Sequence, residues 1–353
     1  ASGGSIGEFN QTVVVQAPAG VTDADVPVLV QALLDRHAML RLRVQSTADA
    51  GEWSLQVPEK GSVQAPVQSV DALTDEALVA ARSRLNPADG VMVSALWARS
   101  TGQLALIVHH LAIDAVSWRI LLEDLNIAWA QHHNGEDVAL PAPGTSFARW
   151  AALLEDHAHD PTVVSDADGW RQVLATPSPL PAVQPELDTY ATAGHLTASL
   201  DAETTRALLG EVPAAFRAGV QDILLIAYGL ALTQMLDTTA SVAIDVEGHG
   251  RQEESVDIAA NVDLSRTVGW FTTKYPVALK TGGLSWAQVV AGHQALGSLI
   301  KDAKEQLRAL PDGLTYGLLR YLNPGVGLSG AEPTIGFNYL GRMGAAGADL
   351  AAE

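Results

Sequence analysis

Four prolines crowd the stretch between Thr176 and Gly194 (Pro177, Pro179, Pro181 and Pro185), where they break any periodic pattern and stiffen the backbone toward an extended conformation. A 353-residue chain interrupted there is expected to divide into 1–175, a linker at 176–193, and 194–353, each half of ordinary domain size. On both sides apolar strands alternate with amphipathic helices, which favours two α/β layers over an all-helical bundle. Hydrophobic residues make up 48% and charged residues 17%, enough apolar surface for a large core, so disorder is a poor description.

Charge narrows the function classes. Lys and Arg number 21 against 40 Asp and Glu, a net charge of −19, which argues against generic nucleic-acid binding. With no cysteine there is no disulfide framework and no thiolate nucleophile, a usage that fits the cytoplasm. No apolar stretch approaches the roughly 20 residues of a membrane-spanning helix, and no basic, apolar leader opens the chain. The expectation is a protein neither inserted nor exported. Ala1 at the start and Ala351-Ala352-Glu353 at the end read as the limits of a piece from a longer polypeptide.

Local patterns place the elements. Thr22 and Asp25 look like a capping box, with Asp25 as the alternative cap, before a helix burying Val26, Leu29, Val30 and Leu33. Val91 to Ala98 and Leu104 to His109 read as an antiparallel hairpin around Ser100-Thr101-Gly102, and Trp118, Leu121, Leu122, Leu125 and Trp129 fall at helical spacing. In the second half, Val220 to Met235 reads as a buried helix and Ser241 to Val246 as a strand. One long helix is expected over Trp286 to Leu310, with Lys301, Lys304 and Arg308 on one face, and a last strand over Thr334 to Tyr339.

Three constellations could carry chemistry. His109-His110, followed by Asp114, ends a buried strand, and strand alternation lets only one of the two imidazoles face a given cavity. Two readings stand: a reactive His110 at a strand-to-helix connection, or a packed His109 with Asp114 capping the next helix. Glu247-Gly248-His249-Gly250-Arg251 presents a carboxylate at a cramped turn, read either functionally or as a structural turn with Glu247 paired to Arg251. Strand parity puts Asp245 on the Glu247 face, where two carboxylates would raise one pKa toward the range of a base. Asn338 and Tyr339 place an amide and a phenol in an apolar strand, satisfying the fold or orienting a ligand. His132-His133 reads as a basic helix end, and His157 and His159 as surface residues without a metal-ligand pattern. Gly-x-Ser-x-Gly, His-Glu-x-x-His and a phosphate-binding glycine loop do not occur.

Five ordered segments together resemble the epimerization domain of nonribosomal peptide synthetases, a branch of the condensation-domain superfamily. They are His109-His110 through Trp118, Asp222 to Leu225, Glu247 through Arg251, Arg266 through Thr272, and Phe337 through Arg342. The His pair with Asp belongs to the whole superfamily; the Glu-Gly-His-Gly-Arg turn and the Arg-Thr-Val-Gly-Trp-Phe-Thr run point to the epimerization branch. Ala115 departs from the pattern where the family often has Gly after the Asp; an alanine resists positive φ there.

The resemblance implies an α/β fold (an α+β sandwich) of two chloramphenicol-acetyltransferase-like lobes in a V-shaped pseudo-dimer, with a tunnel between them. It implies inversion of the Cα of an aminoacyl or peptidyl thioester, giving an L/D mixture. The substrate would ride on the phosphopantetheine arm of a peptidyl carrier protein, so the chain needs no cofactor or metal of its own, and neighbouring synthetase domains would be its other partners. His110 and Glu247 are then the catalytic acid/base pair, Asn338 and Tyr339 position the substrate, and His109, Asp114 and Arg251 are structural, Asp114 holding its loop through an Arg. The face bearing Lys301, Lys304 and Arg308 would meet the carrier or stand as a solvated helix end. The alternatives are a condensation domain, which forms an amide between two carrier-bound substrates, and a noncatalytic recruitment module of the same superfamily.

Overall fold

The computed structural model describes residues 7–46, 53–253 and 262–341. Arg342, the last residue of the fifth segment, lies outside them. Contacts divide the chain into two units, Ala1–Leu153 with Arg251–Thr272, and Leu154–Gly250 with Thr273–Glu353.

The first unit is built on a four-stranded sheet. Its elements run β1 (Asn10–Gln16), α1 (Asp25–Arg36), β2 (Arg43–Ser46), β3 (Trp53–Gln56), β4 (Val67–Val70), α2 (Asp75–Arg82), β5 (Val93–Ala98), β6 (Gln103–His109) and α3 (Ala115–His133). The sheet order is β1-β6-β5-β4, with β4 parallel to β5 and the other pairs antiparallel, while β2 and β3 form a separate ribbon. Every residue of β5 is buried, which is why that segment lacks alternation. Val93, Ala95 and Trp97 pack with Leu104, Leu106 and Val108 against α1 and α3, while Leu96, Ala105 and Ile107 pack with Ala81 and Leu85 near α2. The hairpin closes with Ala98 opposite Gln103, and Gly102 takes the positive φ of 64° that the turn requires.

The chain division falls inside α4 (Phe147–His157). The second unit continues with α5 (Pro161–Ser165), α6 (Ala167–Leu174), α7 (Ala202–Leu209), α8 (Glu211–Phe216), α9 (Val220–Met235), β7 (Val242–Gly248), β8 (Thr273–Leu279), α10 (Trp286–Val290), α11 (Gln294–Arg308), α12 (Gly313–Gly317) and β9 (Gly336–Phe337). Its sheet order is β8-β7-β9, β8 antiparallel and β9 parallel to β7. Val242, Ile244 and Val246 form its core with Val277 and Leu279, covered by α9 and by Ala303 of α11. The division precedes the proline-rich linker because α6 packs with the second unit: the fully buried Trp170 donates from Nε1 to Thr315 Oγ1 at 2.9 Å and meets Tyr316 edge-on at 5.4 Å.

Several expectations are corrected. The helix expected over Trp286 to Leu310 is two helices, because Gly292 takes a φ of 62° and His293 starts a new helix as its N-cap. Lys304 is not on a solvated face: it is 9% exposed, and its Nζ donates to the Phe216 carbonyl at 3.2 Å. Arg308 likewise donates to the Arg217 carbonyl at 2.6 Å. His157 is buried at 7% because it shares the inner face of α4 with Leu153, four residues earlier, while Glu155 and Asp156 face outward. The Thr22–Asp25 box is half formed, Asp25 Oδ2 accepting from Thr22 N at 2.8 Å and from Thr22 Oγ1 at 2.6 Å, while the residue ahead of α1 is Ala24 and Asp25, as its first helical residue, also meets His132 Nε2 at 2.9 Å. The strand expected over Thr334 to Tyr339 shrinks to β9, where pairing to β7 ends at Phe337.

A buried polar cluster ties α1 to α3. His37, 3% exposed, bonds through Nε2 to Asp124 Oδ2 at 2.9 Å, and Arg266 holds the other Asp124 oxygen and Glu123. Burial pulls His37 below the ordinary imidazole value, with the Asp124 bond opposing. The unfolded chain therefore binds a proton that the folded one resists, so stability is full above the unfolded pKa of about 6.5 and falls as pH drops through it. Thermal unfolding should show a Tm that declines from about pH 7.5 to about pH 5.5, and less steeply in His37→Asn than in the wild type. Parallel declines in the two proteins would contradict this.

Candidate active site

His110 is placed by the backbone of two strands. It follows the last residue of β6, where Asn10 of β1 pairs with His109, and its own N–H donates to the Phe9 carbonyl at 2.8 Å. His109 is fully buried and its Nδ1 accepts from Leu111 N at 3.2 Å. His110 is half-buried between rings: Phe9 stacks on it at 4.7 Å with 7° between planes, and Trp270 tilts against it at 4.3 Å. Its Nε2 lies 2.9 Å from Gln11 Nε2, and Gln11 Oε1 accepts from Trp118 Nε1 at 2.8 Å.

Asp114 closes the connection from β6 to α3. It is the N-cap of α3, accepting from Ser117 N and Ser117 Oγ at 2.7 Å each. At 3% exposure its charge needs further donors, and it receives Arg251 Nη2 at 3.2 Å and Phe271 N at 3.1 Å. Arg251 Nη1 donates onward to the carbonyls of Leu264 and Thr267 at 2.9 and 2.7 Å, and the guanidinium lies 4.0 Å over the Phe271 ring. Burial pulls Arg251 below its ordinary value while Asp114 pulls it back. Ala115 needs no positive φ: it is the first residue of α3, outside the positive-φ positions.

In the second unit, Glu247 sits one residue before the end of β7, half-buried, with Oε2 accepting from Asn338 Nδ2 at 2.5 Å. In the turn after it Gly250 takes a φ of 66°, which favours glycine, and a Cβ on Gly248 would lie 3.0 Å from Thr273 Oγ1, close enough that the hydroxyl would have to shift. The partner shown for Glu247 is Asn338, and a carboxylate shown at Arg251 is Asp114. Asn338 is exposed beyond β9 rather than buried in a strand, and Tyr339 is half-buried beside it in sequence. Asp245 does not form a carboxylate pair with Glu247; Lys274, opposite Glu247 in the register, reaches it at 2.9 Å. Burial holds the Asp245 carboxyl above the usual range against that lysine. Burial works against the Lys274 ammonium too, but its bonds to Glu332, at 2.7 Å, and to Asp245 outweigh it and keep it charged.

The structure adds residues that sequence patterns passed over. Phe9, Gln11 and Trp270 frame His110; only Trp270 had a signal, as an indole inside the Arg266 to Thr272 run. Lys274 and Glu332 lie 58 positions apart, and no motif links them. His132 and His133 stay in the last turn of α3, His133 against Trp129 at 4.9 Å. Among the described residues no three metal-binding side chains gather. A groove of about 770 Å³ in the first unit, lined by Gln31, Asp35, Arg36 and Lys60, includes none of these site residues.

Removing one partner of a buried ion pair strands the other charge. Arg251→Ala is therefore expected to cost about 3–5 kcal/mol in denaturant unfolding, and Arg251→Lys to recover only part, since one ammonium cannot serve Asp114 and two carbonyls together. A loss below about 1 kcal/mol would mean that solvent replaces the guanidinium.

The whole arrangement has relatives. The model of the condensation domain matches residues 5–325. The chain is 35% identical over 354 residues to one of the linear gramicidin synthase proteins of Brevibacillus parabrevis, covering 95% of this chain and 7% of that protein. It is 34% identical over 351 residues to surfactin synthase subunit 2 of Bacillus subtilis (strain 168), covering 95% and 9%. The chain thus spans less than a tenth of either relative's length. Among solved structures, the epimerization domain from the third module of tyrocidine synthetase B superposes with a TM-score of 0.78 at 28% identity, over 96% of this chain and 78% of that one. The first condensation domain of the calcium-dependent antibiotic synthetase superposes at 0.67 with 16% identity, over 97% and 80%, a likeness of fold alone. With its mixed α/β architecture and a family match running from residue 5 to residue 325, the chain belongs to the condensation-domain family.

Proposed function

We propose that this chain inverts the Cα centre of an aminoacyl or peptidyl thioester, carried on the phosphopantetheine arm of a peptidyl carrier protein, to give an L/D mixture. The reading rests on one observation above all: a carboxylate, Glu247, presented at a glycine-bounded turn and oriented by Asn338. Amide formation has no use for that carboxylate, whereas proton removal from carbon does. The likeness to the tyrocidine epimerization domain supports the same choice, at higher identity and TM-score than the condensation domain above.

The chemistry asks for three things. A base takes the Cα proton, the C–H electron pair moves into the thioester carbonyl to give an enolate, and a proton returns to the other face of the same carbon. Glu247 is proposed as a principal acid/base, and His110 as the second acid/base or the donor to the developing oxyanion. Asn338 fixes the Glu247 carboxylate, Tyr339 is assigned to substrate positioning, and Asp114 and Arg251 hold the backbone that carries His110 and Trp270. His109 is assigned to the core. Peptidyl carrier protein and neighbouring synthetase domains are the proposed partners, and the cytoplasm the proposed location.

Incubation with a carrier-bound L-aminoacyl thioester in D₂O should incorporate deuterium at Cα and drift toward an L/D mixture, read by mass spectrometry and chiral analysis. Amide formation from two loaded carriers without exchange would favour a condensation domain. Carrier binding with neither reaction would favour a noncatalytic recruitment module.

Glu247→Gln and His110→Ala should each lower the exchange rate by roughly 10²–10⁴-fold with the fold intact by circular dichroism. His133→Ala, at the far end of α3, should leave the rate near that of the wild type. Wild-type exchange in Glu247→Gln would remove that residue from the mechanism.

A further inference from the structure

Among the described residues, the two ring nitrogens of His110 have one hydrogen-bond partner between them. Nε2 lies 2.9 Å from Gln11 Nε2, and Nδ1, though buried, has none. The far end of the same amide fixes the sense of this bond. Trp118 Nε1 lies 2.8 Å from Gln11 Oε1, and an indole N–H can only donate. The amide atom that faces Trp118 must therefore be the oxygen, which leaves the NH₂ group, also a pure donor, facing His110. Turning the amide over would set two donors against each other at Trp118, 8% exposed.

The geometry points to Gln11 as a positioning residue that fixes the neutral tautomer of His110, with the proton on Nδ1 and the lone pair on Nε2. Three features keep the relay in register. Gln11 pairs with Val108 in the β1–β6 ladder, the His110 N–H is bonded to the Phe9 carbonyl, and the imidazole plane is held by Phe9 and Trp270. The consequence for the reaction rests on the acid/base role proposed above. The relay leaves the Nε2 lone pair, held by the Gln11 NH₂ until a proton arrives, as the ring's acceptor for the Cα proton, and it keeps the N–H on the buried Nδ1, away from the enolate oxygen.

The tautomer can be read without turnover. In the full chain labelled with ¹⁵N-histidine, two-bond ¹H–¹⁵N correlation spectra separate protonated from unprotonated ring nitrogens, and His110→Asn identifies the His110 signals by their loss. At a pH where the ring is neutral, the wild type should show a protonated Nδ1 and an unprotonated Nε2. Gln11→Glu, nearly isosteric, accepts from Trp118 with one oxygen and from His110 with the other, so it should reverse the pattern. A protonated Nε2 in the wild type, or an unchanged pattern in Gln11→Glu, would overturn the assignment whatever the protein catalyses. In the deuterium-exchange assay Gln11→Glu should lower kcat by roughly 10²-fold with KM little changed. A reversed tautomer with an unaltered kcat would separate the relay from the chemistry, and exchange absent from the wild type would overturn the epimerization reading alone.

Discussion

The buried pair of Asp114 and Arg251 is the constraint on which the first unit depends. A carboxylate 3% exposed cannot stay charged without donors, and this one collects them from three parts of the chain: Ser117 in α3, Arg251, and the Phe271 amide. The segment from Leu264 to Thr272 has no regular structure of its own, so its backbone groups must be satisfied one at a time. Arg251 takes the carbonyls of Leu264 and Thr267, and Ser117 Oγ accepts from Gly269 N at 3.1 Å. Trp270 lies between Gly269 and Phe271, both pinned by this network, and Trp270 is one wall of the His110 ring site. An electrostatic pair thus sets the backbone that carries one wall of the His110 ring.

The second unit solves a similar problem with the charges reversed. Lys274 projects from β8 opposite Glu247 and is shared by Asp245 and Glu332. Glu332 is drawn below the usual carboxylate range despite its burial, because Lys274, the Tyr321 hydroxyl at 2.7 Å and Arg320 all favour its anion. Asp245 is more deeply buried, and desolvation prevails there. Glu247 accepts from an amide, not a cation, so its orientation comes from a neutral donor.

How much of this was legible in the sequence follows from the range of each interaction. Local patterns carried well. The hairpin of β5 and β6, the apolar face of α1, the burial of α9 and Asp114 ahead of α3 all depend on residues within a few positions of one another. Errors arose where a distant partner decided the outcome. Lys304 reads as a surface cation until the Phe216 carbonyl, 88 positions away, captures it. Parity put Asp245 beside Glu247, but the opposing strand supplied Lys274, which strand alternation cannot reveal. The break at Gly292 was local and readable, since a glycine followed by a capping histidine offers the backbone a left-handed exit. Gln11 carried no signal, because its meaning depends on Trp118 and His110, each about a hundred positions away.

The placement of the cations also bears on how such a chain meets other molecules. With 21 basic residues against 40 acidic ones the net charge stays at −19 whichever pairs form, but a basic side chain committed internally is not free to meet a partner. Arg251, Arg266, Lys274, Lys304 and Arg320 are all bonded to carboxylates or carbonyls within their own units. On α11 only Lys301 of the three basic residues stays uncommitted at the surface, while Lys304 and Arg308 hold carbonyls at the end of α8. An acidic partner would therefore be repelled at long range, and at physiological ionic strength that repulsion fades over about 8 Å. Such a partner must be recognised by contacts formed inside that distance, through shape, hydrogen bonds and the chemistry of what it carries, with little help from steering.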